Sequence, residues 1–320
     1  MPEPIKVAII DDFQHVAAAM GDWKRLAPKA EATVFTDNVT GDALIARLAG
    51  FDVVMVIRER TKFPREVIER LPRLKLLITA GMRNLGIDIE ACKARGVVVC
   101  GTDTGSSPTA ELAFGMLLGL SRNMAPEEAS LRAGTWQTQR LGFGIRGLTL
   151  GIVGLGRLGA MMGSYGRAFG MDVIAWSQNL TAEKATAAGA RRVEKAELFQ
   201  RADFVSLHLI LSARTRGIVG AADLALMKPS AFLINTSRAG LVDEPALIAA
   251  LKARQIAGAA RDVYEQEPLP RDAPILAAPN TLLTPHLGYA TRETYEIYFP
   301  QAVEDVEAWL AGQPVRVLSG

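Results

Sequence analysis

The apolar residues of this chain form short runs separated by segments with helical periodicity. In the first hundred residues, five such runs predict strands at residues 5–10, 33–35, 52–57, 74–79 and 97–100. Short runs rich in Val and Ile that alternate with helices are typical of a parallel sheet covered on both faces. The pattern therefore predicts a first α/β unit that ends near Gly101.

The same alternation resumes at Leu148. Six further runs predict strands at residues 149–153, 172–176, 203–207, 231–235, 256–260 and 281–284. Two apolar helices precede them, at residues 107–122 and 125–133, and a last helix at residues 291–311 is long enough to return to the first unit. We therefore predict two doubly wound parallel-sheet domains. Residues 1–101 and 289–320 would form a smaller, flavodoxin-like substrate domain, and residues 102–288 a Rossmann-type dinucleotide-binding domain.

Composition narrows the class of protein. The chain is 49% hydrophobic and 22% charged, and its 36 basic and 34 acidic residues are scattered, giving a net charge of +2. This balance favours a globular protein without a nucleic-acid or membrane partner. The start of the chain lacks a signal-peptide pattern, so we expect a cytoplasmic protein. Cys92 and Cys100 are too few for a metal cluster, so we expect no metal and two buried free thiols.

A glycine-rich turn follows the first strand of the second domain. In Gly154-Leu-Gly156-Arg-Leu-Gly159 the first glycine allows a tight turn, the second lets the backbone approach a pyrophosphate, and the third lets the helix pack on the strand. The helix that follows would direct its positive end at the phosphates. The turn therefore predicts a dinucleotide site.

The end of the next strand bears on which dinucleotide is bound. An NAD site usually presents a carboxylate there to the ribose 2′-hydroxyl, but this chain has Ser177-Gln178-Asn179. No anion repels a 2′-phosphate, and no arginine stands directly in place to bind one. Arg191 and Arg192 are better interpreted as a solvated pair than as phosphate ligands. The sequence leaves the choice between NAD and NADP open.

Few residues can act as a general base. The chain has three histidines, and His15 is expected to be exposed near the first helix. His208 and His286 each follow a predicted strand, where ligands of doubly wound sheets bind. Arg238 and Glu267 also follow strands of the same sheet. Imidazole titrates near neutral pH, and guanidinium binds carboxylates through paired hydrogen bonds, so these residue types suit acid–base chemistry on an organic acid.

Ordered motifs connect these residues to a known family. GLGRLG from Gly154, NTSRAGLVDE from Asn235, DVYEQEP from Asp262 and TPHLG from Thr284 resemble the successive signatures of the D-isomer-specific 2-hydroxyacid dehydrogenases. LKLLITAG from Leu74 and PTAELA from Pro108 match the patterns of the family's first domain and crossover. The resemblance covers nearly the whole chain.

The resemblance implies an oxidoreductase that transfers a hydride between NAD(P)(H) and a small D-2-hydroxy acid or 2-keto acid. His286 would be the acid/base, Glu267 its partner, and Arg238 would bind the substrate carboxylate and keto oxygen. Asp262 would face the nicotinamide amide. Arg58, Gly81 and Met82 would bind substrate from the first domain. The full set of predicted cofactor-binding residues is Thr109, Gly154, Gly156, Arg157, Leu158, Gly159, Ser177, Gln178, His208, Thr215, Thr236, Ser237, Asp262 and Gly288.

The chain also departs from the family pattern. Arg261 interrupts an apolar strand where leucine is typical, and Tyr289 replaces a small residue after the histidine, where it would either line the pocket or pack. Trp136, in the crossover, is expected to pack. The resemblance also implies a homodimer formed through residues 112–132, and we expect the protein to act in the cell as a 2-keto acid reductase. The alternatives are a dinucleotide-sensing protein resembling the family's corepressors, and a formate or phosphite dehydrogenase of the same fold.

Overall fold

The structure of the chain, a computed structural model, describes residues 3–105 and 108–319. It divides into two compact units, one formed by Met1–Ser106 with Ala290–Gly320 and one by Ser107–Tyr289. Ser107, where the first crossover helix is predicted to begin, lies outside the described residues. In the part of the chain that is described, no helix is both long and apolar enough to cross a membrane.

Unit 1 contains five strands, with helices between them. Its strands are β1 (Ile5–Ile9), β2 (Ala30–Val34), β3 (Val53–Val56), β4 (Leu76–Thr79) and β5 (Val98–Gly101). Its helices are α1 (Ala17–Met20), α2 (Gly41–Leu48), α3 (Arg65–Glu69), α4 (Ile89–Ala94) and α12 (Arg292–Leu310), with a 3₁₀ turn at Trp23–Leu26. α12 comes from the end of the chain and packs beside α1 and β4.

The strands of unit 1 lie in the order β2-β1-β3-β4-β5, and all their pairings are parallel. β3 and β4 are buried along their whole length, as the apolar runs predict. The predicted strand at residues 33–35 is misplaced, because β2 begins at Ala30. β2 is an edge strand in which buried and exposed positions alternate, so it lacks the continuous apolar run of a central strand.

Unit 2 begins with two helices and continues with a larger sheet. Its strands are β6 (Thr149–Val153), β7 (Asp172–Trp176), β8 (Arg191–Arg192), β9 (Phe204–Leu207), β10 (Phe232–Asn235), β11 (Gly258–Arg261) and β12 (Thr281–Leu283). Its helices are α5 (Pro108–Ser121), α6 (Met124–Arg132), α7 (Arg157–Ala168), α8 (Ala182–Ala187), α9 (Lys195–Arg201), α10 (Ala221–Leu226) and α11 (Glu244–Lys252), with 3₁₀ turns at Ala239–Leu241 and Pro274–Ala277.

The sheet of unit 2 has the order β12-β11-β10-β9-β6-β7-β8, again all parallel, which confirms the predicted fold class of two parallel-sheet α/β domains. The prediction of six strands is wrong, since β8 is a seventh. Arg191 and Arg192 pair with Ile174 and Ala175 of β7. Both arginines are exposed at the sheet edge, where charged side chains are common and no apolar run marks the strand.

Both faces of the unit 2 sheet are covered. Phe204 and Val205 are successive residues of β9, yet they belong to separate buried clusters because successive strand residues point to opposite faces. One cluster is completed by α5 and α7, and the other by α9, α10 and α11. This arrangement leaves the carboxyl ends of the strands as the place where polar side chains gather.

Two side-chain expectations had opposite outcomes. Cys92 and Cys100 are buried free thiols as expected, and burial raises their pKa values to about 11 and about 12. Trp136 does not pack within its unit as expected but is 81% exposed. An aromatic residue in an irregular segment carries no periodicity, so the sequence pattern gave no means to predict its exposure.

Candidate functional site

The glycine turn joins β6 to α7. Gly154 has a φ of +102°, and a Cβ there would lie 2.8 Å from the backbone of His208. A Cβ on Gly159 would lie 2.1 Å from the carbonyl oxygen of Gly154. A Cβ on Gly156, by contrast, would meet nothing within 4 Å. Packing therefore requires glycine at Gly154 and Gly159. Gly156 faces open space at the N-terminus of the twelve-residue helix α7.

Two buried polar atoms near this turn have no hydrogen-bond partner among the described residues. They are Nδ1 of His208, after β9, and Oγ1 of Thr236, after β10. The other ring nitrogen of His208 lies 2.8 Å from Oγ of Ser206. Burial lowers the pKa of His208 to about 4, so the ring is neutral at pH 7.

Buried unpaired polar atoms are uncommon in folded proteins and indicate a missing ligand or water. His208 and Thr236 lie at the carboxyl edge, where doubly wound sheets bind nucleotides. Together with the open space at Gly156, these atoms fit the polar groups and the pyrophosphate of a dinucleotide.

The end of β7 is polar and uncharged. Ser177 is half-buried and its carbonyl accepts from the N–H of Leu180, while Gln178 is exposed. Arg192 donates to the carbonyl of Leu180 and pairs with Glu194 at 2.8 Å. The partners of this arginine are therefore groups of its own edge of the sheet, and the geometry leaves the choice between the two dinucleotides open.

The most specific contact of the site joins the segments after β11 and β12. Nδ1 of His286 lies 2.6 Å from Oε2 of Glu267. The second carboxylate oxygen of Glu267 accepts from the N–H of Tyr264 at 2.8 Å. The side chains of His286 and Glu267 are largely buried, at 16% and 20% exposure. Nε2 of His286 has no partner among the described residues, so the ring is oriented by the nitrogen that faces Glu267.

The segment that carries His286 is bent and held by Asp262. His286 adopts a left-handed conformation with φ +54°, which is strained for a residue other than glycine. Oδ1 of Asp262 accepts from the N–H of Leu287 and the hydroxyl of Thr284, and Oδ2 accepts from the N–H of Gly288. Burial raises the pKa of Asp262, against the opposing effect of these hydrogen bonds. This carboxyl group therefore fixes the turn around His286.

Arg238 lies in a tight turn after β10. The side chain of Asn235 spans this turn, donating to the carbonyl of Arg238 and accepting from the N–H of Ser237. The guanidinium of Arg238 is half-buried and donates to the carbonyl of Ser237 at 2.7 Å. Arg238, Glu267 and His286 thus follow three neighbouring strands, β10, β11 and β12.

The other predicted cofactor residues of unit 2 differ in how their polar groups are used. The hydroxyl of Thr109 donates to the carbonyl of Gly288, and that of Ser237 donates to the carbonyl of Leu207. The hydroxyl of Thr215 bonds within its own loop, to the carbonyl of Ile210. Arg157 and Leu158 form the first turn of α7. Thr109 and Ser237 brace the site, whereas Thr215 braces only its loop.

The three predicted substrate residues of unit 1 follow β3 and β4. Arg58 has a φ of +56° and donates to the carbonyl of Ala80. Gly81 has a φ of +90°, and its N–H donates to the hydroxyl of Thr102, so this amide is already used within the unit. Met82 is exposed.

Of two tyrosines near His286 and Glu267, sequence reasoning weighed Tyr289 but missed Tyr264. The ring of Tyr289 lies edge-on to His286 at 5.3 Å between centroids, and Tyr289 is buried. The hydroxyl of Tyr264 donates to the carbonyl oxygens of Arg261 and Thr284. The position of Tyr264 between Asp262 and Glu267 was the available signal. Among residues 3–105 and 108–319, no group of three or more His, Cys, Asp or Glu side chains could hold a metal ion.

Comparisons with known proteins agree with this geometry. Residues 114–288 match the family model "D-isomer specific 2-hydroxyacid dehydrogenase, NAD binding domain". A D-3-phosphoglycerate dehydrogenase of Methanocaldococcus jannaschii is 37% identical over 97% of this chain, which spans 58% of that relative's length. A glyoxylate reductase of Thermococcus litoralis is 37% identical over 79% of this chain and 78% of its own.

A solved structure is similar over both units. The phosphoglycerate oxidoreductase of Vibrio cholerae O395 has a TM-score of 0.91 and 39% identity, covering 96% of this chain and 99% of that one. The chain belongs to the D-isomer-specific 2-hydroxyacid dehydrogenase family. Unit 2 contains its NAD-binding domain, and NAD(P) is the cofactor.

Proposed function

We propose that this protein interconverts D-2-hydroxy acids and 2-keto acids with NAD(P)(H), acting in the cell as a 2-keto acid reductase. The observation that carries the proposal is the 2.6 Å contact between Nδ1 of His286 and Oε2 of Glu267, on the edge that also bears Arg238 and the glycine turn. The oriented histidine argues against the dinucleotide-sensing alternative, because a protein that only senses the dinucleotide transfers no proton.

The hydrogen bond determines how His286 would handle a proton. With Nδ1–H donated to Glu267, Nε2 is the nitrogen that gains or loses the proton. Protonated Nε2 donates to the keto oxygen during reduction, and neutral Nε2 accepts the hydroxyl proton during oxidation. The carboxylate fixes the orientation of the ring, so Glu267 acts through His286.

Arg238 would bind the substrate carboxylate. Its planar guanidinium can donate two parallel hydrogen bonds and can also polarise the keto oxygen. We also propose that Arg58, Gly81 and Met82 bind the substrate.

Arg238→Lys keeps the charge but loses the paired geometry, so KM for the keto acid should rise and kcat should fall. Arg201→Lys, on the surface of α9, is the matched control. Equal kinetics of the two variants would remove Arg238 from the site.

Gly154, Gly156, Gly159, His208 and Thr236 would hold the dinucleotide, the glycines at the pyrophosphate and the two unpaired polar atoms at its ribose or amide groups. The bound nicotinamide supplies the hydride that adds to the substrate carbon. The nicotinamide amide is assigned to Asp262.

The reaction is tested with purified protein and a panel of acids, followed at the nicotinamide absorbance. The panel contains glyoxylate, hydroxypyruvate, pyruvate and longer branched 2-keto acids with NADH or NADPH, and D-3-phosphoglycerate, formate and phosphite with NAD or NADP. We expect saturable reduction of at least one 2-keto acid, and the ratio of kcat/KM for NADH and NADPH identifies the preferred cofactor. Turnover of formate or phosphite alone, or dinucleotide binding without any turnover, would contradict the proposal and support one of the alternatives.

We also propose that the protein is a homodimer. Of the predicted residues 112–132, those of α5 are mostly buried within unit 2, so we narrow the interface to α6 and the segment after it. None of the residues of α6 is buried within unit 2, and Trp136 and Leu141 are 81% and 93% exposed. Large exposed apolar side chains on one segment are typical of protein interfaces. Trp136→Ser should weaken the dimer in sedimentation equilibrium, whereas Leu276→Ser, at an exposed leucine elsewhere in the unit, should not. A monomeric wild-type protein would contradict this proposal.

A further inference from the structure

A buried arginine ends β11, one residue before Asp262. The side chain of Arg261 is 1% exposed, although it carries a full charge. One of its terminal nitrogens pairs with Oε2 of Glu244, and the other donates to the carbonyl of Val263 at 3.1 Å. A buried guanidinium is costly unless it is paired and hydrogen-bonded. An apolar residue would satisfy the strand without this cost, so the charge requires an explanation beyond packing.

Contacts of Arg261 lead in short steps to the histidine. Its guanidinium lies over the ring of Tyr264 at 5.4 Å, and its carbonyl accepts from the hydroxyl of that tyrosine. The N–H of Tyr264 donates to one oxygen of Glu267, and the other oxygen of Glu267 contacts His286. Arg261 therefore holds the near end of the loop from which Glu267 reaches the ring.

The other partner of Arg261 belongs to a different part of the site. Glu244 is the first residue of α11 and lies six residues after Arg238, in the segment that follows β10. The ion pair therefore ties the segment carrying Arg238 to the loop carrying Glu267. The backbone N–H of Asp262 also donates to the carbonyl of Asn235, where the neighbouring strands β10 and β11 end, and Glu265 lies beside Gly240.

We propose that Arg261, paired with Glu244, is a positioning residue that fixes Glu267 against His286. The inference rests on the proposed reaction for its kinetic consequence, but the contact itself exists without turnover. Arg261→Leu restores the residue type expected at this position, and it should let the loop at residues 262–268 shift. Because a displacement of about 1 Å can cost about 100-fold in rate, kcat should fall by at least about tenfold, while KM for the keto acid should change less than about twofold.

The kinetic test uses the full-length protein and three comparison variants. Arg261→Lys retains a charge for Glu244 and should recover part of kcat. Arg316→Leu removes the guanidinium from another buried carboxyl group, Asp305 of unit 1, and should lower thermal stability without this loss of kcat. The double variant Glu244→Leu with Arg261→Leu removes both charges, so it should regain stability while kcat stays low.

A spectroscopic test needs no turnover. The Nδ1 proton shared by His286 and Glu267 should give a downfield proton NMR resonance, identified by its absence in His286→Asn and Glu267→Gln. In Arg261→Leu this resonance should broaden or disappear through faster exchange with water, and in Arg261→Lys it should return in part.

Each outcome decides the proposal. An unchanged resonance in Arg261→Leu would overturn the positioning role, whatever the rate. A normal kcat in an active wild-type background, or a kcat restored by the double variant together with stability, would also overturn it. If the wild-type protein reduces no 2-keto acid, the proposed function fails, and loss of the resonance still supports the positioning of Glu267 by Arg261.

Discussion

Both sheets are parallel, but the polar groups at their carboxyl edges differ in chemistry. In unit 1, the carboxylate of Asp11 accepts from Asn38 and Thr61, and its carbonyl accepts from Arg60. In unit 2, His208 and Thr236 keep buried polar atoms that no described residue satisfies. The edge of unit 1 around Asp11 is thus satisfied by its own side chains, whereas the edge of unit 2 retains unused hydrogen-bonding capacity.

This difference indicates which of the two parallel sheets binds a ligand at its carboxyl edge. Folding alone favours the pairing of buried polar groups, so unpaired groups at the edge where parallel sheets bind nucleotides indicate a ligand. Left-handed backbones occur at both edges, at Asp11 and at His286, so the unpaired polar groups carry the distinction. We therefore assign the proton transfer and the dinucleotide to unit 2.

The largest expected effect on kcat comes from replacing the histidine at the edge of unit 2 with asparagine. The same replacement at the edge of unit 1 is the control. His15, after β1, and His286 both have left-handed backbones, with φ of +57° and +54°, a conformation that asparagine tolerates. His286→Asn should lower kcat by between about 100-fold and 10,000-fold, because the acid/base is lost. Dinucleotide binding, measured by fluorescence titration, should persist. His15→Asn should leave kcat unchanged. Similar kcat values for the two variants would contradict the proposal that the acid/base lies at the edge of unit 2.

A smaller effect is expected at the glycine turn. A Cβ on Gly156 meets no atom of the folded chain, so Gly156→Ala should fold with an unchanged Tm. It would occupy the space assigned to the pyrophosphate and should weaken dinucleotide binding by about tenfold or more. Gly50→Ala in unit 1 also adds a methyl group to open space and is the matched control. Equal affinities of the two variants would place the dinucleotide elsewhere.

The sequence predicted most of the fold because central parallel strands are continuous apolar runs. It failed at β8, where Arg191 and Arg192 pair at an exposed edge, and at the start of β2, because neither strand is buried on both faces. Strand boundaries and exposure depend on neighbours that the local pattern does not contain.

The candidate site was also predictable from the sequence only in part. Residue types and their positions after strands singled out Arg238, Glu267 and His286, and the resemblance suggested the pairing of the last two, which lie in contact. The pair formed by Arg261 and Glu244 was not predictable, since 17 residues separate them and the arginine interrupts an otherwise apolar strand. Such contacts depend on the tertiary arrangement of β10 and β11.

The smallest expected effect is a pair of opposite pH dependences of stability, one in each unit. Burial lowers the folded-state pKa of His208 to about 4, below the ordinary histidine value of 6.5. The unfolded chain then binds more protons between these values, so this group costs stability as pH falls from about 6.5 towards 4. Asp305 behaves in the opposite sense, because burial raises its pKa from 3.8 to about 7 despite its contact with Arg316.

The folded state therefore binds more protons than the unfolded state at Asp305 between pH 3.8 and about 7, and stability falls as pH rises through that window. Thermal unfolding measured from pH 4 to 8 should separate the two groups. His208→Gln should flatten the loss on the acid side, and Asp305→Asn should flatten the loss on approach to pH 7. Because His208 belongs to the open edge of unit 2, saturating dinucleotide should also alter its contribution, while that of Asp305 stays the same. If dinucleotide alters both contributions equally, the two units do not differ in the way that their buried polar groups indicate.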